Sequence, residues 1–321
     1  VADPQHNYVV GGVKEFGNEI AEVFVDQNRA YVTDGSRLWI IDVENPSQPS
    51  ILGYFQGSSG CGGITAAGNY AYLVCADAFI SLDVSDATNP TLLDSLALPN
   101  AIYRIDRIKL HGSYVYIADQ ENGLRIIDIS DPMNLMEAGS WSDSEYGKIR
   151  DVFIALKNGK TIAYMISEWK HLCAADVTDP GEILIQGDIY SVDWPAQLFV
   201  RDDIAYVANQ AGGLWVVDFS DLSAPVEVSS LDFDGMTFQI FMDGQVALLS
   251  NYLGGIELVD VSNLSVPQEI ASYYEPTFIS GIVSQDGMAY TVGAKGLGIY
   301  NVADPYNPKY TGLYKSSDTL R

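Results

Sequence analysis

Basic residues are scarce in this sequence. Its 321 residues include 17 Lys and Arg against 42 Asp and Glu, which gives a formal net charge of −25. Proteins that bind nucleic acid or an anionic membrane surface need clustered Lys and Arg. The composition therefore argues against both kinds of partner and favours neutral or cationic ones.

Histidine is also rare, since the chain contains only His6, His111 and His171. His6 lies in the terminal segment and His111 at the far end of a predicted strand, so the three are not expected to form a metal site. Nucleophile-elbow, phosphate-loop and dinucleotide-binding motifs are absent as well. The sequence predicts no catalytic residue, no metal and no cofactor, with calcium as the alternative considered below.

Long apolar runs are missing too. No stretch approaches the roughly 18 consecutive apolar residues of a membrane helix, and no basic-then-apolar leader is present at the start. The protein is either intracellular or exported with its leader removed. A start at Val1 rather than Met favours the second, although an arbitrarily chosen first residue would look the same. We expect a secreted or cell-surface protein without membrane insertion.

Three cysteines allow at most one intramolecular disulfide. Cys61 and Cys75 flank a predicted hairpin turn at Gly68 and Asn69, which would place them nearly opposite each other on two strands. They either form a disulfide or remain separate thiols. Cys173 lies inside a predicted strand and is expected to be an unreactive core residue.

What the sequence does contain is a repeat, in which a short apolar run ends in Asp-x-x-Asp, or a close variant, and then proline. Its seven copies span Leu38–Pro46, Phe79–Pro90, Leu124–Pro132, Leu172–Pro180, Leu214–Pro225, Ile256–Pro267 and Leu297–Pro305. The residues that end the apolar runs are 41 to 48 positions apart, and they are Asp42, Asp83, Asp128, Asp176, Asp218, Asp260 and Asn301. A period in the low forties, built of short β-like segments, is the signature of β-propeller blades.

Each period contains four predicted strands, of which the third is apolar at nearly every position. Such a strand must be covered on both faces, as in a propeller, where each four-stranded blade packs between two neighbours. We therefore predict one all-β domain over residues 1–321, a seven-bladed β-propeller of four-stranded antiparallel blades. Residues 1–17 are predicted to contain an extra strand. Either this strand or the last one, residues 309–314, closes the ring, and the other adds an edge or caps it.

The second strands read Ala-Tyr-Val or similar, and they are followed by Gly-Leu-x-x-x-Asp-x-Ser-Asp and a turn with proline. This pattern resembles the LVIVD-repeat family of bacterial and archaeal proteins over nearly the whole chain. The resemblance implies a β-propeller of a kind often exported or displayed on cell surfaces. The family has no single activity, so no catalytic residue carries over. The fourth copy departs most, because Glu168, Trp169, Lys170 and His171 replace the usual Gly before Leu172.

Asp and Asn recur at two further positions of the repeat. One lies three residues after each key residue, at Asn45, Asp86, Asp131, Asp179, Asp221, Asn263 and Asp304. The other ends the second strand, at Asp34, Asp77, Asp119, Asn209 and Asn251. These side chains accept hydrogen bonds from backbone N–H groups just ahead, which predicts turns. A calcium site, which needs six to eight converging oxygens, is the alternative.

A polar residue precedes the apolar part of five first strands. The residues at this position are Glu22, Arg107, Asp151, Gln197 and Gln239, with Gly63 and Gly281 in the other two copies. First strands line the channel of a propeller, so these side chains would surround one mouth, with Arg104, Asp106 and Arg150 nearby. They either form a ligand pocket of mixed charge or hydrate the channel and bond the neighbouring blade. Acid–base chemistry by Asp151 or Glu22, with Arg107 or Arg150 stabilising charge, is a further alternative.

Loops expected on the same face are rich in aromatic side chains and include a histidine. These residues are Tyr103, Trp141, Tyr146, Trp169, His171, Trp194 and Tyr252. Aromatic groups with polar tips suit carbohydrate or protein binding, or else they pack as lids over blade edges. The longest connection, residues 140–150, holds two of them and is the preferred candidate for a binding loop.

These features predict a monomeric binding or scaffold module that recognises a carbohydrate or protein partner at one propeller face. The alternative is a saccharide-active lyase or hydrolase with its site in the central funnel. A surface-layer or adhesion unit without a small ligand is the third hypothesis.

Overall fold

The computed structural model describes residues 22–45, 48–75, 78–98, 107–120, 122–191, 193–252, 255–273, 279–293, 296–306 and 309–314. These residues form 27 strands and no helix, so this part of the chain has no helix long and apolar enough to cross a membrane. The strand predicted within residues 1–17 lies outside the described residues.

Seven strands form one continuous antiparallel sheet that contains the first two repeats. They are β1 (Glu22–Asp26), β2 (Arg29–Thr33), β3 (Gly35–Asp42), β4 (Ser50–Ala67), β5 (Tyr70–Cys75), β6 (Ala78–Asp83) and β7 (Thr91–Ala97). Each of the other five repeats forms a separate four-stranded sheet. Their strands are β8 (Ile108–His111), β9 (Tyr114–Ala118), β10 (Leu124–Asp128), β11 (Met136–Trp141), β12 (Ile149–Lys157), β13 (Lys160–Ser167), β14 (His171–Asp176), β15 (Leu184–Tyr190), β16 (Gln197–Arg201), β17 (Ile204–Ala208), β18 (Leu214–Asp218), β19 (Val226–Leu231), β20 (Thr237–Asp243), β21 (Val246–Asn251), β22 (Gly255–Asp260), β23 (Gln268–Tyr273), β24 (Ile279–Gln285), β25 (Met288–Gly293), β26 (Gly296–Asn301) and β27 (Lys309–Tyr314).

An all-β propeller with four-stranded antiparallel blades is therefore confirmed, but the prediction of seven separate blades is wrong. The described residues contain five four-stranded blades and the seven-stranded sheet. The cause is β4, which continues through 18 residues. Its first part pairs with β3 as the outer strand of repeat 1, and its second part pairs with β5 as the inner strand of repeat 2.

The first and second strands of each repeat are joined by tight turns that contain residues with positive φ. Asn158 and Gly159 have φ values of 53° and 79°, and Asp286 and Gly287 have values of 53° and 72°. Two consecutive positive φ values are typical of type I′ hairpin turns, whose twist matches that of the strands. The predicted turn at Gly68 also has a positive φ, of 59°.

The second and third strands are the most buried elements. All five residues of β17 are buried, and so are the first four of β18, whereas the outer strand β19 has no buried residue. The expectation that the apolar third strands are covered on both faces is confirmed.

The hydrophobic core lies between repeats rather than within them. The described residues form seven clusters, each shared by two consecutive repeats. One of them joins Val32 and Trp39 of repeat 1 to Tyr290 and Ile299 of repeat 7. Since burying one large apolar side chain stabilises the fold by about 1.5–3 kcal/mol, this cluster closes the ring firmly.

A second contact between repeats lies at the outer strands. A β-bulge interrupts the pairing of the third with the fourth strand in every repeat. Just after it, Gly139 and Gly187 lie so close to a turn of the next repeat that a Cβ would overlap its backbone. In repeat 2 the same position holds Asp94, whose Oδ2 accepts a 2.7 Å hydrogen bond from the Leu135 N–H of repeat 3.

The structure decides between a disulfide and two separate thiols for Cys61 and Cys75. Cys61 and Cys75 lie directly opposite each other on β4 and β5 and form a disulfide. Cys173 is a free, fully buried thiol, and burial raises its pKa above the ordinary value. The disulfide alternative and the core role of Cys173 are both confirmed.

The Asp and Asn side chains at the end of the third strands, and those three residues later, make turns, as predicted. Of those that end the second strands, Asp34 also accepts from a backbone N–H just ahead, whereas Asp119 bonds the Asn122 and Arg125 side chains. Asp128 Oδ1 accepts a 2.8 Å hydrogen bond from the Ser130 N–H, and Asp131 Oδ1 accepts one of 2.9 Å from the Met133 N–H. The same bond two residues ahead is formed by Asp42, Asp83, Asp86, Asp176, Asp179, Asp218, Asp221, Asp260, Asn263, Asn301 and Asp304. No group of three His, Cys, Asp or Glu suited to a metal occurs among the described residues.

Candidate functional site

A central cavity of about 340 Å³ lies between the first strands of the seven repeats. We call the end of the ring where these strands begin the upper face. At that end the cavity is lined by four of the residues predicted there, namely Glu22, Arg107, Gln197 and Gln239. The predicted polar rim of the channel therefore exists in the structure.

Below this rim the cavity is apolar. Phe24, Phe153, Phe199 and Phe241 all occupy the third position of the aligned first-strand segments and line the cavity. The Phe199 ring centroid lies 4.9 Å from that of Phe153 and 5.7 Å from that of Phe241. Phenylalanine at one repeat position in four of seven copies is the sequence feature that indicates this apolar lining, which the polar residues at the strand starts did not predict.

Two of the polar residues predicted at this rim connect neighbouring repeats. Asp151 Oδ2 accepts a 2.9 Å hydrogen bond from the Leu198 N–H, and Gln197 Oε1 accepts one of 2.6 Å from the Ile240 N–H. A first strand pairs with a second strand on one side only, so the N–H groups on its other edge need such acceptors. For Asp151 and Gln197, bonding to the neighbouring repeat is the role that the geometry supports.

Asp151 is fully buried. Burial raises the pKa of its carboxyl above the ordinary value, while the charges of Arg107 and Lys109 oppose the shift. Arg107 Nε lies 3.9 Å from Asp151 Oδ1, and Arg107 Nη1 lies 3.7 Å from Glu22 Oε1. The guanidinium therefore lies between two carboxylates of different repeats, and one of these carboxylates is inaccessible to a ligand.

The raised pKa of Asp151 predicts a pH-dependent effect of Asp151→Asn. A carboxyl whose pKa is higher in the folded state stabilises the fold at low pH and loses this contribution as pH rises through the folded pKa. Asparagine keeps an oxygen acceptor for the Leu198 N–H but does not titrate. Urea unfolding from about pH 4 upward should therefore show the variant gaining free energy of unfolding relative to the wild type as pH rises.

Asp151→Ala is the matched comparison, because it removes the acceptor as well. We expect it to cost about 1–3 kcal/mol across that pH range, since the buried Leu198 N–H then has no partner. An Asn variant whose stability relative to the wild type falls with rising pH would contradict this assignment.

A second cavity, of about 290 Å³, opens beside the channel on the upper face and is called the basic pocket here. Its lining residues come from repeats 3, 4 and 5, and they are Arg107, Ala118, Gln120, Lys148, Arg150, Glu168 and Ala196. Glu168 Oε1 lies 3.5 Å from Arg150 Nη2 and 3.9 Å from Lys148 Nζ. The pocket thus combines three cations with one carboxylate.

The backbone holds the walls of this pocket in place. The Ile149 N–H donates to the Gln120 carbonyl at 3.0 Å, which fixes the start of β12 against repeat 3. The Glu168 N–H donates to the Lys148 carbonyl at 2.7 Å. The loop before β12 and the turn after β13 are therefore held together by the chain itself.

Two exposed indoles flank the basic pocket. Trp169 is 53% exposed and Trp194 is 45% exposed. Lys170 Nζ lies 4.9 Å from the Trp194 ring centroid, and Arg150 Cζ lies 5.9 Å from it. The Trp169 indole contacts Gly147, where φ is +67° and a Cβ would overlap the ring. The 140–150 connection and both tryptophans therefore form one continuous surface.

The other predicted aromatic residues of repeats 3 and 4 pack against the protein. The Tyr146 ring lies 5.5 Å from that of Trp141 and 4.9 Å from that of His171. Trp141 and Tyr146 are half-buried against the core between these repeats, and burial raises the pKa of Tyr146 to about 12. His171 Nδ1 lies 2.5 Å from Asp188 Oδ2. These three side chains match the alternative that they act as lids, and they support the surface rather than form it.

The remaining predicted site residues fall elsewhere. Tyr252 is 56% exposed and contacts Phe238 in repeat 6, and no described residue of this repeat lines the basic pocket. Tyr103 and Arg104 lie outside the described residues. Sequence reasoning also missed Lys148, Glu168 and Lys170 as site residues, although the departure of repeat 4 from the repeat pattern marked two of them.

Comparison with known proteins identifies the repeat. The model of the LVIVD repeat family matches residues 20–56, 61–97, 105–143, 196–232 and 246–275, which is more than half of the chain. The span between the third and fourth matches contains Lys148, Arg150, Glu168, Trp169 and Trp194. No curated protein sequence matches the chain significantly.

Solved structures share the fold at low sequence identity. Sqt1 of Saccharomyces cerevisiae has a TM-score of 0.71 at 10% identity and covers 97% of this chain and 89% of its own. A functionally unknown protein from Desulfotomaculum acetoxidans has a TM-score of 0.67 at 13% identity, over 80% of this chain and 86% of its own. PorZ of Porphyromonas gingivalis, a surface component of the type-IX secretion system, has a TM-score of 0.64 at 14% identity, over 94% of this chain and 39% of its own. Given the repeats matched over most of its length and the propeller fold, this chain belongs to the LVIVD-repeat family.

Proposed function

We propose that the protein is a binding module that recognises a saccharide on the upper face of repeats 3 to 5. The observation that carries this proposal is the pair of exposed indoles, Trp169 and Trp194, beside a pocket lined by hydrogen-bonding side chains. Indole rings stack on the apolar faces of sugars, and the surrounding polar groups bond their hydroxyls. A protein partner, which would use the same tryptophans as anchors, is the other class of ligand considered.

The repeat pattern supports the same location. Five segments match the family model and supply scaffold, whereas repeat 4 departs from the pattern at Glu168, Trp169 and Lys170. Binding is expected at residues that depart from the repeat pattern, because the repeats position these residues but do not need them to fold. The exposed Trp169 is one of the residues at which repeat 4 departs from the pattern.

The saccharide-active enzyme is the weaker alternative for a geometric reason. Asp151, one of its two candidate carboxylates, is buried and bonded to the Leu198 N–H. A general acid or base must come within hydrogen-bonding reach of the substrate. Glu22 lines the cavity but lies beside Arg107, in an arrangement typical of a structural ion pair.

We further propose that the protein is exported or held at a cell surface. The Cys61–Cys75 disulfide supports this location, because disulfides form and persist in oxidising compartments. Membership in the family is compatible with it, and so is the likeness in fold to PorZ, a bacterial surface component.

A glycan array followed by titration of the best ligand tests the binding proposal. We expect Trp194→Ala and Trp169→Ala each to lower the affinity about tenfold, as for truncated aromatic anchors. Tyr306→Ala is the matched control, because Tyr306 is 67% exposed but lies in the turn before β27, on the opposite face. Its affinity should equal that of the wild type.

Three results would overturn the saccharide proposal. One is an array without any bound glycan, and another is a glycan whose affinity the tryptophan variants do not change. The third is turnover of a saccharide that disappears in Glu22→Gln, which would favour the enzyme.

A further inference from the structure

The charge of the basic pocket is opposite to that of the rest of the protein. The chain has 17 Lys and Arg among 321 residues and a net charge of −25. Three of these cations, Arg107, Lys148 and Arg150, line one cavity of about 290 Å³, and Lys170 lies beside Trp194 at its edge. Glu168 is the only acidic residue among the described lining residues.

Arg107 already lies between Glu22 and Asp151, but a purely structural ion network explains Arg150 and Lys148 poorly. Glu168 lies 3.5 Å from Arg150 and 3.9 Å from Lys148, and the three side chains are 26% to 36% exposed. Exposed ion pairs of this kind contribute about 0–1 kcal/mol to stability. Breaking these ion pairs to bind a ligand would therefore cost little stability, and the side chains of Arg150 and Lys148 are both accessible to solvent.

From this geometry we propose that the basic pocket binds the carboxylate of an acidic sugar, a uronic acid residue. This inference rests on the saccharide function proposed above and specifies its ligand class. The Arg150 guanidinium is a planar fork that matches a carboxylate with two parallel hydrogen bonds. The adjacent Trp194 indole offers a surface for the sugar ring, and Glu168 accepts a hydrogen bond from a sugar hydroxyl.

One feature favours a carboxylate over a phosphate, and the size of the cavity limits the length of the bound segment. Glu168 repels a bound anion, and this repulsion is larger for a dianion than for a monoanion. The cavity volume is at the lower end of ligand pockets, which fits one sugar residue rather than a longer buried segment. The remainder of an oligosaccharide would then extend over Trp169.

Calorimetric titration of the full chain tests this inference. The probes are trigalacturonic acid and the same trisaccharide with its carboxyl groups reduced to alcohols. We expect the acidic form to bind about tenfold more tightly at about 0.05 M salt, and this preference should shrink at about 0.5 M because salt screens exposed charges. A sulfated trisaccharide as a third probe distinguishes carboxylate recognition from general anion attraction, and it should bind less tightly than the trigalacturonate.

Variants locate the effect. Arg150→Ala and Lys148→Ala should each reduce the affinity for trigalacturonate to near that of the neutral sugar. Glu168→Gln should raise it about threefold, because it removes a like charge, and a gain of affinity cannot come from misfolding. Lys160→Ala is the control, since Lys160 belongs to the same repeat but lies on the opposite face, where it bonds Asp176.

The outcomes separate the two proposals. If both sugars bind equally and only the tryptophan variants weaken them, the saccharide function stands and the uronate inference fails. Tighter binding of the sulfated probe than of trigalacturonate also overturns the uronate assignment. If neither sugar nor any other glycan binds, both proposals fail.

Discussion

Reduction of the Cys61–Cys75 disulfide is expected to lower the free energy of unfolding by about 3 kcal/mol, as for a closed loop of this size. The two cysteines are buried and lie opposite each other on β4 and β5. Cys61 stands where β4 passes from the sheet position of repeat 1 to that of repeat 2. Loss of the bond therefore releases the part of the fold that joins these two repeats.

Urea unfolding with and without a reductant measures this effect. The Cys61→Ser, Cys75→Ser double variant should have the stability of the reduced wild type and should not respond to reductant. Cys173→Ala is the control, because Cys173 is a free thiol and its removal leaves the disulfide intact. Equal stability of oxidised and reduced wild type would argue against a stabilising role and would weaken the case for export.

Gly139→Ala is expected to destabilise the protein by about 3 kcal/mol. A Cβ at Gly139 would overlap the Pro180 carbonyl group in the turn of the next repeat. Neither backbone can move without separating β11 from repeat 4, because the bulge in the β10–β11 ladder sets the position of this residue. Gly53 and Gly187 occupy the same position in repeats 1 and 4. A Cβ at these residues would likewise overlap the carbonyl groups of Ala87 and Leu222.

Gly181→Ala provides the comparison within the same interface. Its Cβ would meet only the Asp179 carboxylate, at 3.4 Å, which is an ordinary contact. We expect its stability to stay within about 0.5 kcal/mol of the wild type. Thermal unfolding of both variants measures the difference, and a Gly139 variant as stable as the Gly181 variant would mean that the repeats are not packed as described.

The scaffold could be predicted from the sequence because its signals are local and repeated. The apolar run of Leu214–Asp218 indicated a strand covered on both faces, and the paired Asp218 and Asp221 indicated turns. Each such signal depends on residues close in sequence, and seven copies repeat it. The same periodicity explains why the turn at Gly68 fell where a hairpin was expected.

The continuous β4 was not predictable in this way. Residues 57–60, Gly-Ser-Ser-Gly, have the composition of a loop, yet they lie within one strand. The pairs Arg37–Gln56 and Gly35–Cys61 lie on either side of this stretch, and Cys61 also pairs with Cys75, so the two ladders join across it. Such pairing depends on partners distant in sequence, which a local pattern does not reveal.

The site could be predicted only in part, for the same reason. Arg150, Trp169 and Trp194 were identified as candidates by residue type and position in the repeat. Their grouping with Lys148 and Glu168 depends on how three repeats meet at the upper face. Asp151 resembled a catalytic carboxylate in the sequence, and only its bond to the Leu198 N–H of the next repeat showed a structural role.

The central claim is that the upper face of repeats 3 to 5 binds a saccharide, and a crystal structure of the complex with the best array ligand tests it most directly. We predict density for a sugar residue in contact with Trp194 and Arg150, with the chain of the ligand extending toward Trp169. Density for the ligand on the opposite face, or only within the phenylalanine-lined channel, would contradict it.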